Sequence, residues 1–145
     1  MKHLFKGIWS LEDYGKGTET DDMIKKAIIN PQDFVLKPQK EGGGNNFFDE
    51  TLKSKLLNIE NEDELQSYLL MEKINPPMIP ACHMRNGELQ ITESLSEMGI
   101  YSMIFTKNTA SGNELICNKT IGTLMRTKAS HFNEGGVAAG YSVID

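Results

Sequence analysis

The stretch LKPQKEGGGNN, at residues 36–46, combines charged side chains with unusually flexible backbone. Lys37 and Glu41 precede three consecutive glycines, and Asn45 and Asn46 follow them. A plain turn needs only one or two residues with positive φ, and each further glycine adds to the entropy that folding must overcome. The pattern therefore favours a loop whose backbone approaches a ligand closely.

An anion such as a nucleotide phosphate suits this loop. Backbone N–H groups of glycines can converge on an anion because no Cβ blocks the approach. Lys37 supplies a positive charge, and Glu41 is a hard oxygen ligand of the kind that Mg²⁺ prefers. The patterns GxxxxGK[ST] and GxGxxG are both absent. On these residues alone, an exposed hairpin with a flexible tip stays open as the alternative.

A second small-residue loop, RTKASHFNEGGVAAG at residues 126–140, has a similar composition. Arg126 and Lys128 lead into its glycines and alanines. Two such loops, each preceded by cations, favour nucleotide binding in an otherwise acidic chain. The alternative for this loop is tight backbone packing against a neighbouring strand.

Other polar residues have simpler interpretations from pattern alone. Glu72 and Lys73 fit the solvated face of a strand, and Glu97 fits an exposed charge at a strand end. His131 has no partner at metal-ligand or triad spacing, which indicates a structural role. The sequence contains no recognisable Ser/His/Asp or Cys/His set, so it gives no support to nucleophilic hydrolysis.

The composition is that of a globular domain or part of one, with 145 residues, 39% hydrophobic and 24% charged. A net charge of −5 argues against general affinity for nucleic acid but allows a local cationic pocket. The two cysteines, Cys82 and Cys117, lack metal-ligand spacing. Without a recognisable secretory leader or an apolar run long enough to span a bilayer, we expect a cytoplasmic protein with reduced thiols.

Hydrophobic spacing predicts an α+β fold with a mainly antiparallel sheet. We expect one helix capped by Thr20 and ended by Asn30-Pro31, and a second helix capped by Asp49. The predicted strands are DFVLK, SYLLMEKI, ELQITESL, GIYSMIFT, ELICN and YSVI. ENEDELQ is predicted as helix or loop, and NPPMIPA as irregular because its prolines lack amide donors. Strands outnumber helices and their connections are short, which favours this class over a doubly wound sheet.

Four segments resemble the C-terminal part of the eukaryotic glutathione synthetase family, in the same order and at similar intervals. They are FVLKPQKEGGGNN, YLLMEKI, SEMGIY and RTKASHFNEGGVAAGYSVID. The resemblance runs from about FKGIWSL to the end and covers nearly the whole chain. It implies part of an ATP-grasp fold with a glycine-rich lid, in a ligase that joins γ-glutamylcysteine to glycine with ATP and Mg²⁺.

The resemblance also implies roles for individual residues. The implied nucleotide contacts are Lys37, Pro38, Gln39, Lys40, Glu41, Gly42, Gly43, Gly44, Asn45, Asn46, Phe48, Met71, Glu72, Lys73, Ile74, Glu97, Lys128 and Glu134. Among these, Glu41 would bind Mg²⁺, residues 71–74 would hold the adenine, and Glu97 would bind the ribose. The implied contacts to the peptide substrate are Arg126, Val137 and Ala138. Arg126 is also the candidate catalytic residue, pairing with a carboxylate through both arms of its guanidinium.

Two residues depart from the family's usual pattern. Phe48 stands where the family usually has a tyrosine that contacts the nucleotide, so a hydroxyl hydrogen bond is lost. Glu134 stands where the family usually has aspartate, which keeps the charge on a longer side chain. Both departures are small compared with the difference in length between this chain and the family's enzyme.

The family's enzyme is several times longer than this chain. The resemblance divides the chain into a connecting strand at 1–10, the lid at 11–93 and a strip of the central sheet at 94–145. It implies a further N-terminal portion or a full-length synthetase subunit as partner, and homodimers are usual in the family. Two functions stay open: the ATP-binding part of an active ligase, or a truncated, non-catalytic module that binds nucleotide or another subunit.

Overall fold

The computed structural model describes residues 4–40, 44–59, 61–133 and 142–144. The strands are β1 (Ile8–Ser10), β2 (Phe34–Pro38), β3 (Phe47–Phe48), β4 (Tyr68–Glu72), β5 (Ile79–Arg85), β6 (Glu88–Thr109), β7 (Gly112–Ala129) and β8 (Ser142–Ile144). The α-helices are α1 (Glu19–Ile29), α2 (Asp49–Leu57) and α3 (Glu62–Gln66), with short 3-10 turns at Leu11–Asp13 and Pro31–Asp33.

The chain forms two compact units, Met1–Asn75 and Pro76–Asp145, each built around one sheet. The strand order is β1-β4-β2-β3 in the first unit and β5-β6-β7-β8 in the second, and neighbouring strands are antiparallel. The expected mixture of helices with antiparallel sheet is confirmed. The division at residues 10 and 93, and the lid itself, stay predictions.

The core of the first unit lies between its helices and one face of its sheet. Its buried residues are Leu11, Ile24, Ala27, Phe34, Leu36, Leu52, Tyr68 and Leu70. Because side chains alternate along a strand, Phe34 and Leu36 of β2 face this core while Val35 and Lys37 lie on the opposite face. We call this second face the outer face.

The helix starts differ slightly from those predicted. The residue that caps α1 is Thr18, and Thr20 is buried within the helix. The carboxylate of Asp21 reaches back to accept hydrogen bonds from Gly15 N at 2.6 Å and Gly17 N at 2.8 Å, which satisfies donors in a turn built on glycines with positive φ. Asp49 is the first residue of α2 and not its cap, because Phe48 occupies the cap position.

Lys55 of α2 joins two helices and two aromatic rings. Its Nζ donates to the Glu64 carboxylate of α3 and lies 5.5 Å from the ring centroid of Tyr68 and 6.0 Å from that of Phe47. The hydrogen bond to Glu64 raises the pKa of Lys55 above its ordinary 10.5, against the opposing effect of burial. The charged form of Lys55 is therefore favoured by folding.

Replacing Lys55 with Met should lower the free energy of unfolding by about 1 kcal/mol at neutral pH, because a partly buried ion pair and a cation–π contact are lost. The difference from wild type should be full below pH 10.5, the ordinary pKa of lysine, and shrink as pH rises through the higher folded-state pKa. Urea unfolding of both proteins at several pH values measures this difference. Lys25→Met, which removes an exposed pair with Asp22, is the control and should change stability little.

A difference between wild type and Lys55→Met that grows above pH 10.5 would contradict the direction of this pKa shift.

The second unit is dominated by one long hairpin. ELQITESL and GIYSMIFT, predicted as two strands, are one 22-residue strand, β6. ELICN likewise belongs to the 18-residue strand β7. The residues between the two predicted strands do not interrupt β6, because Gly99 keeps an extended conformation. The register of β6 with β7 shifts after Tyr101 and after Phe105, as at β-bulges.

The sequence analysis did not predict the start of β5 or the turn that follows it. NPPMIPA was expected to be irregular, but Ile79, Pro80 and Ala81 begin β5. Because β5 lies at the edge of its sheet, a proline can be accommodated there. Asn86 and Gly87, with φ of 53° and 81°, form the two-residue turn from β5 to β6, and this pair is a strong hairpin signal.

Candidate functional site

Three of the predicted nucleotide contacts lie on the outer face of the first sheet. Val35 of β2 is paired across the sheet with Phe48 of β3 on one side and with Met71 of β4 on the other. Lys37 lies on the same face two residues along β2. The row places an aromatic ring, a thioether and an ammonium group close together around the buried Val35, which is only 3% exposed.

The first end of the glycine-rich loop is held by backbone hydrogen bonds, and the second end includes a glycine with positive φ. At its first end, Gln39 N donates to Ser67 O at 2.7 Å and Lys40 N donates to Pro38 O at 2.8 Å. At its second end, Gly44 has φ of 83°, a conformation that favours glycine, and β3 follows Asn46. Because β2 and β3 are antiparallel neighbours, the loop connects two adjacent strand ends. Six predicted site residues lie outside the described residues: Glu41, Gly42, Gly43, Glu134, Val137 and Ala138.

The segment from Met71 to Ile74 uses its polar groups in different ways. Glu72 is bonded to Gly7 twice: Glu72 N donates to Gly7 O at 3.0 Å, and Glu72 Oε2 accepts from Gly7 N at 3.0 Å. Lys73 N donates to Asp33 O at 2.8 Å. The side chain of Ile74 is exposed. Glu72 therefore fastens the strand end to the segment before β1, and is not simply the solvated charge that its pattern suggested.

The side chain of Lys73 lies over the ring of Phe48, with Nζ 5.9 Å from the ring centroid. A cation at this distance is attracted by the negative face of an aromatic ring. The contact links the end of β4 to β3 across the outer face. Sequence reasoning named both residues but not their contact, because cross-strand pairing is needed to bring residues 25 positions apart together.

In the second unit, the pairing of β6 with β7 brings together three predicted site residues. Glu97 and Arg126 are direct cross-strand partners, and their side chains form an ion pair. Lys128 lies on the same face as Arg126, two residues along β7. Glu97 is 64% exposed and Arg126 is 39% exposed, so the pair is accessible to solvent and can exchange partners.

Lys128 supports the start of the second small-residue loop. Its Nζ donates to Phe132 O at 2.7 Å and to Asn133 O at 2.8 Å. The ring of His131 packs against that of Phe132 with centroids 4.1 Å apart. The structural role expected for His131 is consistent with this packing, and Lys128 is the cation that fixes the chain direction after β7.

Gly99 separates Glu97 from Tyr101 on the same face of β6. A Cβ at position 99 would lie 3.1 Å from the ring of Tyr101, so the ring covers this glycine closely. The residue paired with Tyr101 on β7 is also a glycine, Gly122. The absence of a Cβ at Gly99 lets the Tyr101 ring lie against the backbone of β6.

The opposite face of this sheet carries buried hydroxyl groups that the sequence analysis did not single out. Ser94 is fully buried and its Oγ lies 2.7 Å from His83 Nε2. Ser96 Oγ lies 2.9 Å from Thr127 Oγ1 across the two strands. The alternation of Thr and Ser at positions 92, 94 and 96 was the available signal. These bonds hold the strands in register behind the ion pair.

The described residues fit a nucleotide better than they fit a complete metal site. Lys37 offers a charge for phosphate, and Phe48 and Met71 offer apolar surface of the kind that packs against a base. Within residues 4–40, 44–59, 61–133 and 142–144, no group of three or more His, Cys, Asp or Glu side chains is placed to hold a metal ion. A Mg²⁺ role for Glu41 stays a prediction.

Comparison with known proteins assigns the family. The model of the family described as eukaryotic glutathione synthase, ATP binding domain, matches residues 1–145. The chain belongs to this family. The resemblance inferred from the four segments is thereby confirmed.

Curated relatives of this synthetase-family chain include glutathione synthetases from animals and plants. The Xenopus laevis protein is 41% identical over 146 residues, covering 100% of this chain and 29% of the relative. The Homo sapiens protein is 39% identical with the same coverage, and the chloroplastic protein of Arabidopsis thaliana is 37% identical over 147 residues, covering 25% of that relative. The chain thus spans less than a third of the length of these relatives.

A solved structure supports the same fold. A glutathione synthetase-like effector from Globodera pallida, in apo form, matches with a TM-score of 0.60 over 97% of this chain and 26% of that chain. At 22% sequence identity this likeness concerns the fold alone. Among the described helices of the synthetase-family chain, none is both long and apolar enough to cross a membrane.

Replacing Lys128 with Met should loosen the start of the loop without unfolding β7, because two charge-assisted hydrogen bonds to backbone carbonyls are lost. Amide hydrogen exchange at residues 131–133 should become faster, while exchange at residues 124–129 stays unchanged. Lys119→Met is the matched control, since Lys119 lies on the same strand and face and is exposed. Unchanged exchange at 131–133 in Lys128→Met would refute this role.

Proposed function

We propose that this chain is the ATP-binding part of a glutathione synthetase that ligates γ-glutamylcysteine and glycine. The observation that carries the proposal is the full-length family match taken together with Lys37, Phe48 and Met71 side by side on the outer face of the first sheet. The family match by itself shows only that the chain is related to glutathione synthases. A cation beside apolar and aromatic surface is the chemistry that a nucleoside phosphate needs.

The proposed roles of the first unit follow from its contacts. Lys37 neutralises phosphate charge, and the glycine-rich loop supplies backbone donors beside it. Met71 and Phe48 pack against the base, and Lys73 is kept near them by its contact with the Phe48 ring. Glu72 has an indirect role: its hydrogen bonds to Gly7 fix the position of the backbone at the neighbouring residues Met71 and Lys73. Glu41 would hold Mg²⁺, which when bound neutralises charge on the nucleotide phosphates.

The proposed roles of the second unit concern Glu97, Arg126 and Lys128. A carboxylate such as Glu97 accepts hydrogen bonds from ribose hydroxyls, and Arg126 can bind a substrate carboxylate with two parallel hydrogen bonds. The ion pair keeps Arg126 extended across the sheet until a substrate carboxylate competes with Glu97 for it. Lys128 holds the backbone at Phe132 and Asn133, which precede the proposed peptide contacts Val137 and Ala138 in the chain.

The proposed reaction needs no nucleophile from the protein. A carboxylate oxygen of γ-glutamylcysteine attacks the γ-phosphorus of ATP, ADP leaves, and an acyl phosphate forms. The amine of glycine then attacks the acyl carbon, phosphate leaves, and the amine loses a proton. Positioning and charge neutralisation carry most of such a reaction. Closure of the two small-residue loops would protect the acyl phosphate from water.

The rest of the proposed machinery lies beyond the matched region. Since the chain spans 29% of the Xenopus laevis relative, further Mg²⁺ ligands and most of a substrate pocket would come from additional synthetase polypeptide, in the same chain or in another subunit. Homodimerisation belongs to the same proposal. We propose a cytoplasmic location for the protein, although the relatives from Solanum lycopersicum and Arabidopsis thaliana are chloroplastic.

A second candidate function is a non-catalytic module that binds nucleotide or another synthetase subunit. The observation that favours it is the long hairpin of β6 and β7, on which many large apolar side chains are exposed. Such a surface is typical of a site for another polypeptide. Turnover by the chain alone would exclude this second candidate.

Binding of ATP in the presence of Mg²⁺, measured by calorimetry, tests nucleotide recognition in the 145-residue chain. Lys37→Ala should raise the Kd about tenfold or more, because a charge-assisted hydrogen bond contributes about 1.5–3 kcal/mol. Lys53→Ala is the control, since Lys53 belongs to α2 on the other side of the sheet. Equal affinities for Lys37→Ala and wild type would remove Lys37 from the nucleotide site.

Release of ADP with ATP, Mg²⁺, γ-glutamylcysteine and glycine tests whether the chain alone acts as a ligase. Turnover that requires both substrates and disappears in Lys37→Ala supports a ligase that is active as this chain. ATP binding without turnover supports the non-catalytic module, or a ligase that needs additional polypeptide. Absence of ATP binding contradicts the proposed nucleotide site and leaves only a module that binds another synthetase subunit.

A further inference from the structure

The two strands that flank the glycine-rich loop are both linked to one lysine, Lys55 of α2. We call Gln39 and Phe47 the anchor residues of the loop, since Gln39 directly follows β2 and Phe47 begins β3. Lys55 belongs to α2, whose Leu52 is buried in the core. Because the core lies on one face of the sheet and Lys37 on the other, Lys55 is on the side opposite the proposed nucleotide.

The link from Lys55 to the first anchor residue runs through α3. Lys55 Nζ donates a hydrogen bond to the Glu64 carboxylate. The main-chain oxygen of Glu64 accepts from Ser67 N at 3.1 Å and from Ser67 Oγ at 2.7 Å. Ser67 O in turn accepts from Gln39 N at 2.7 Å. A short series of hydrogen bonds therefore connects the ammonium group to Gln39.

The helix α3 needs such contacts, because it is too short to be stable by itself. It has five residues, Glu62–Gln66, and isolated helices shorter than about 12 residues are marginal in water. Asn61 caps it by accepting from Glu64 N at 2.8 Å, and Leu65 packs against the core. The hydrogen bond from Lys55 ties α3 to α2. The position of α3, and of the chain that follows it, thus depends on Lys55.

The link from Lys55 to the second anchor residue is direct. Lys55 Nζ lies 6.0 Å from the ring centroid of Phe47 and 5.5 Å from that of Tyr68. The two rings meet edge to face, with centroids 6.0 Å apart and an interplanar angle of 70°. Tyr68 is paired with Pro38, the last residue of β2. A cation near two rings that also contact each other holds them together, so Phe47 is fixed relative to the end of β2.

We infer that Lys55 is a positioning residue for nucleotide binding, which holds Gln39 and Phe47 where the glycine-rich loop can meet the phosphates. This inference rests on the proposed nucleotide site. Lys55 acts at a distance from the nucleotide, since its side chain is 24% exposed and lies across the sheet from Lys37. With both anchor residues fixed beforehand, less conformational entropy is lost when a nucleotide binds.

Amide hydrogen exchange of the 145-residue chain tests the two links separately. Lys55→Met should make exchange at least about threefold faster at Gln39 and at Phe48, because local opening becomes easier. Phe48 N follows the second anchor residue and donates to Thr51 Oγ1 at 3.1 Å.

Glu64→Gln weakens the ion pair and leaves the cation beside the rings, so exchange should become about twofold faster at Gln39 and stay unchanged at Phe48. The double variant Lys55→Met/Glu64→Gln should match Lys55→Met at Gln39, because both changes act on one link. Additive effects of the two changes at Gln39 would contradict that link.

Two control variants separate positioning from general stability. Ile28 of α1 packs against the same core, so Ile28→Val lowers the stability of the whole unit without changing a contact of either anchor residue. Lys55→Arg keeps the charge and provides a planar group that can stack on the rings, so exchange should stay slow at Gln39 and Phe48. Equal acceleration by Ile28→Val and Lys55→Met would show that Lys55 acts only through global stability, and would overturn the inference.

Titration with ATP and Mg²⁺, and separately with adenosine, tests the consequence for binding. Chemical shifts in NMR spectra give both Kd values, including those of weak complexes. Lys55→Met should raise the Kd for ATP about threefold to tenfold and leave that for adenosine unchanged, because adenosine has no phosphate for the loop to meet. Lys55→Arg should bind ATP as wild type does. A parallel loss of affinity for ATP and adenosine would overturn the inference.

The results distinguish this inference from the proposed nucleotide site. If wild type binds ATP and Lys55→Met binds it equally well, the inference fails and the nucleotide site stands. If wild type does not bind ATP, the nucleotide site fails, and the role of Lys55 in nucleotide binding fails with it. Exchange at Gln39 and Phe48 then still decides whether Lys55 holds the anchor residues.

Discussion

The antiparallel pairing of β2 with β4 determines where the proposed nucleotide contacts of the first unit lie. Five consecutive residue pairs, from Phe34 with Glu72 to Pro38 with Tyr68, fix one strand against the other. A shift of one residue would turn Val35 and Lys37 into the core and expose Phe34 and Leu36. Burial of Leu36 and Leu70, both fully inaccessible to solvent, therefore places Lys37 on the outer face.

The second unit uses the same constraint without a helical layer among its described residues. The pairing of Glu97 with Arg126 follows from the register of β6 and β7, and this register is supported by hydroxyl contacts such as Ser96 with Thr127. The ion pair itself is solvent-exposed and contributes little to stability. Its position comes from the strands, which leaves the charges available for a ligand.

The sequence allowed much of the local structure to be predicted, because the signals are short-range. Asn30-Pro31 ends α1, and the apolar run around Val35 forms a strand, as expected. The length of β6 could not be predicted from its own residues. A strand extends as far as its neighbour pairs with it, and the neighbour of β6 is β7, which follows it in the sequence. The bond between Glu72 and Gly7 joins residues 65 positions apart, and no local pattern encodes it. Of the candidate site, the residue types were predictable and the contacts, such as that of Lys73 with Phe48, were not.

The proline in β5 makes the two sides of the second sheet unequal. Glu93, the residue paired with Pro80, directs its carbonyl toward Ser130 on the other side, so the Pro80–Glu93 pair exchanges no hydrogen bonds and the missing N–H of Pro80 belongs to the outer edge. A strand approaching that edge finds a gap in the row of donors. The missing donor disfavours pairing between the β5 edges of two copies of the chain. β8, the strand at the opposite edge of this sheet, contains no proline between Ser142 and Ile144, so its described residues have no such gap in their donors.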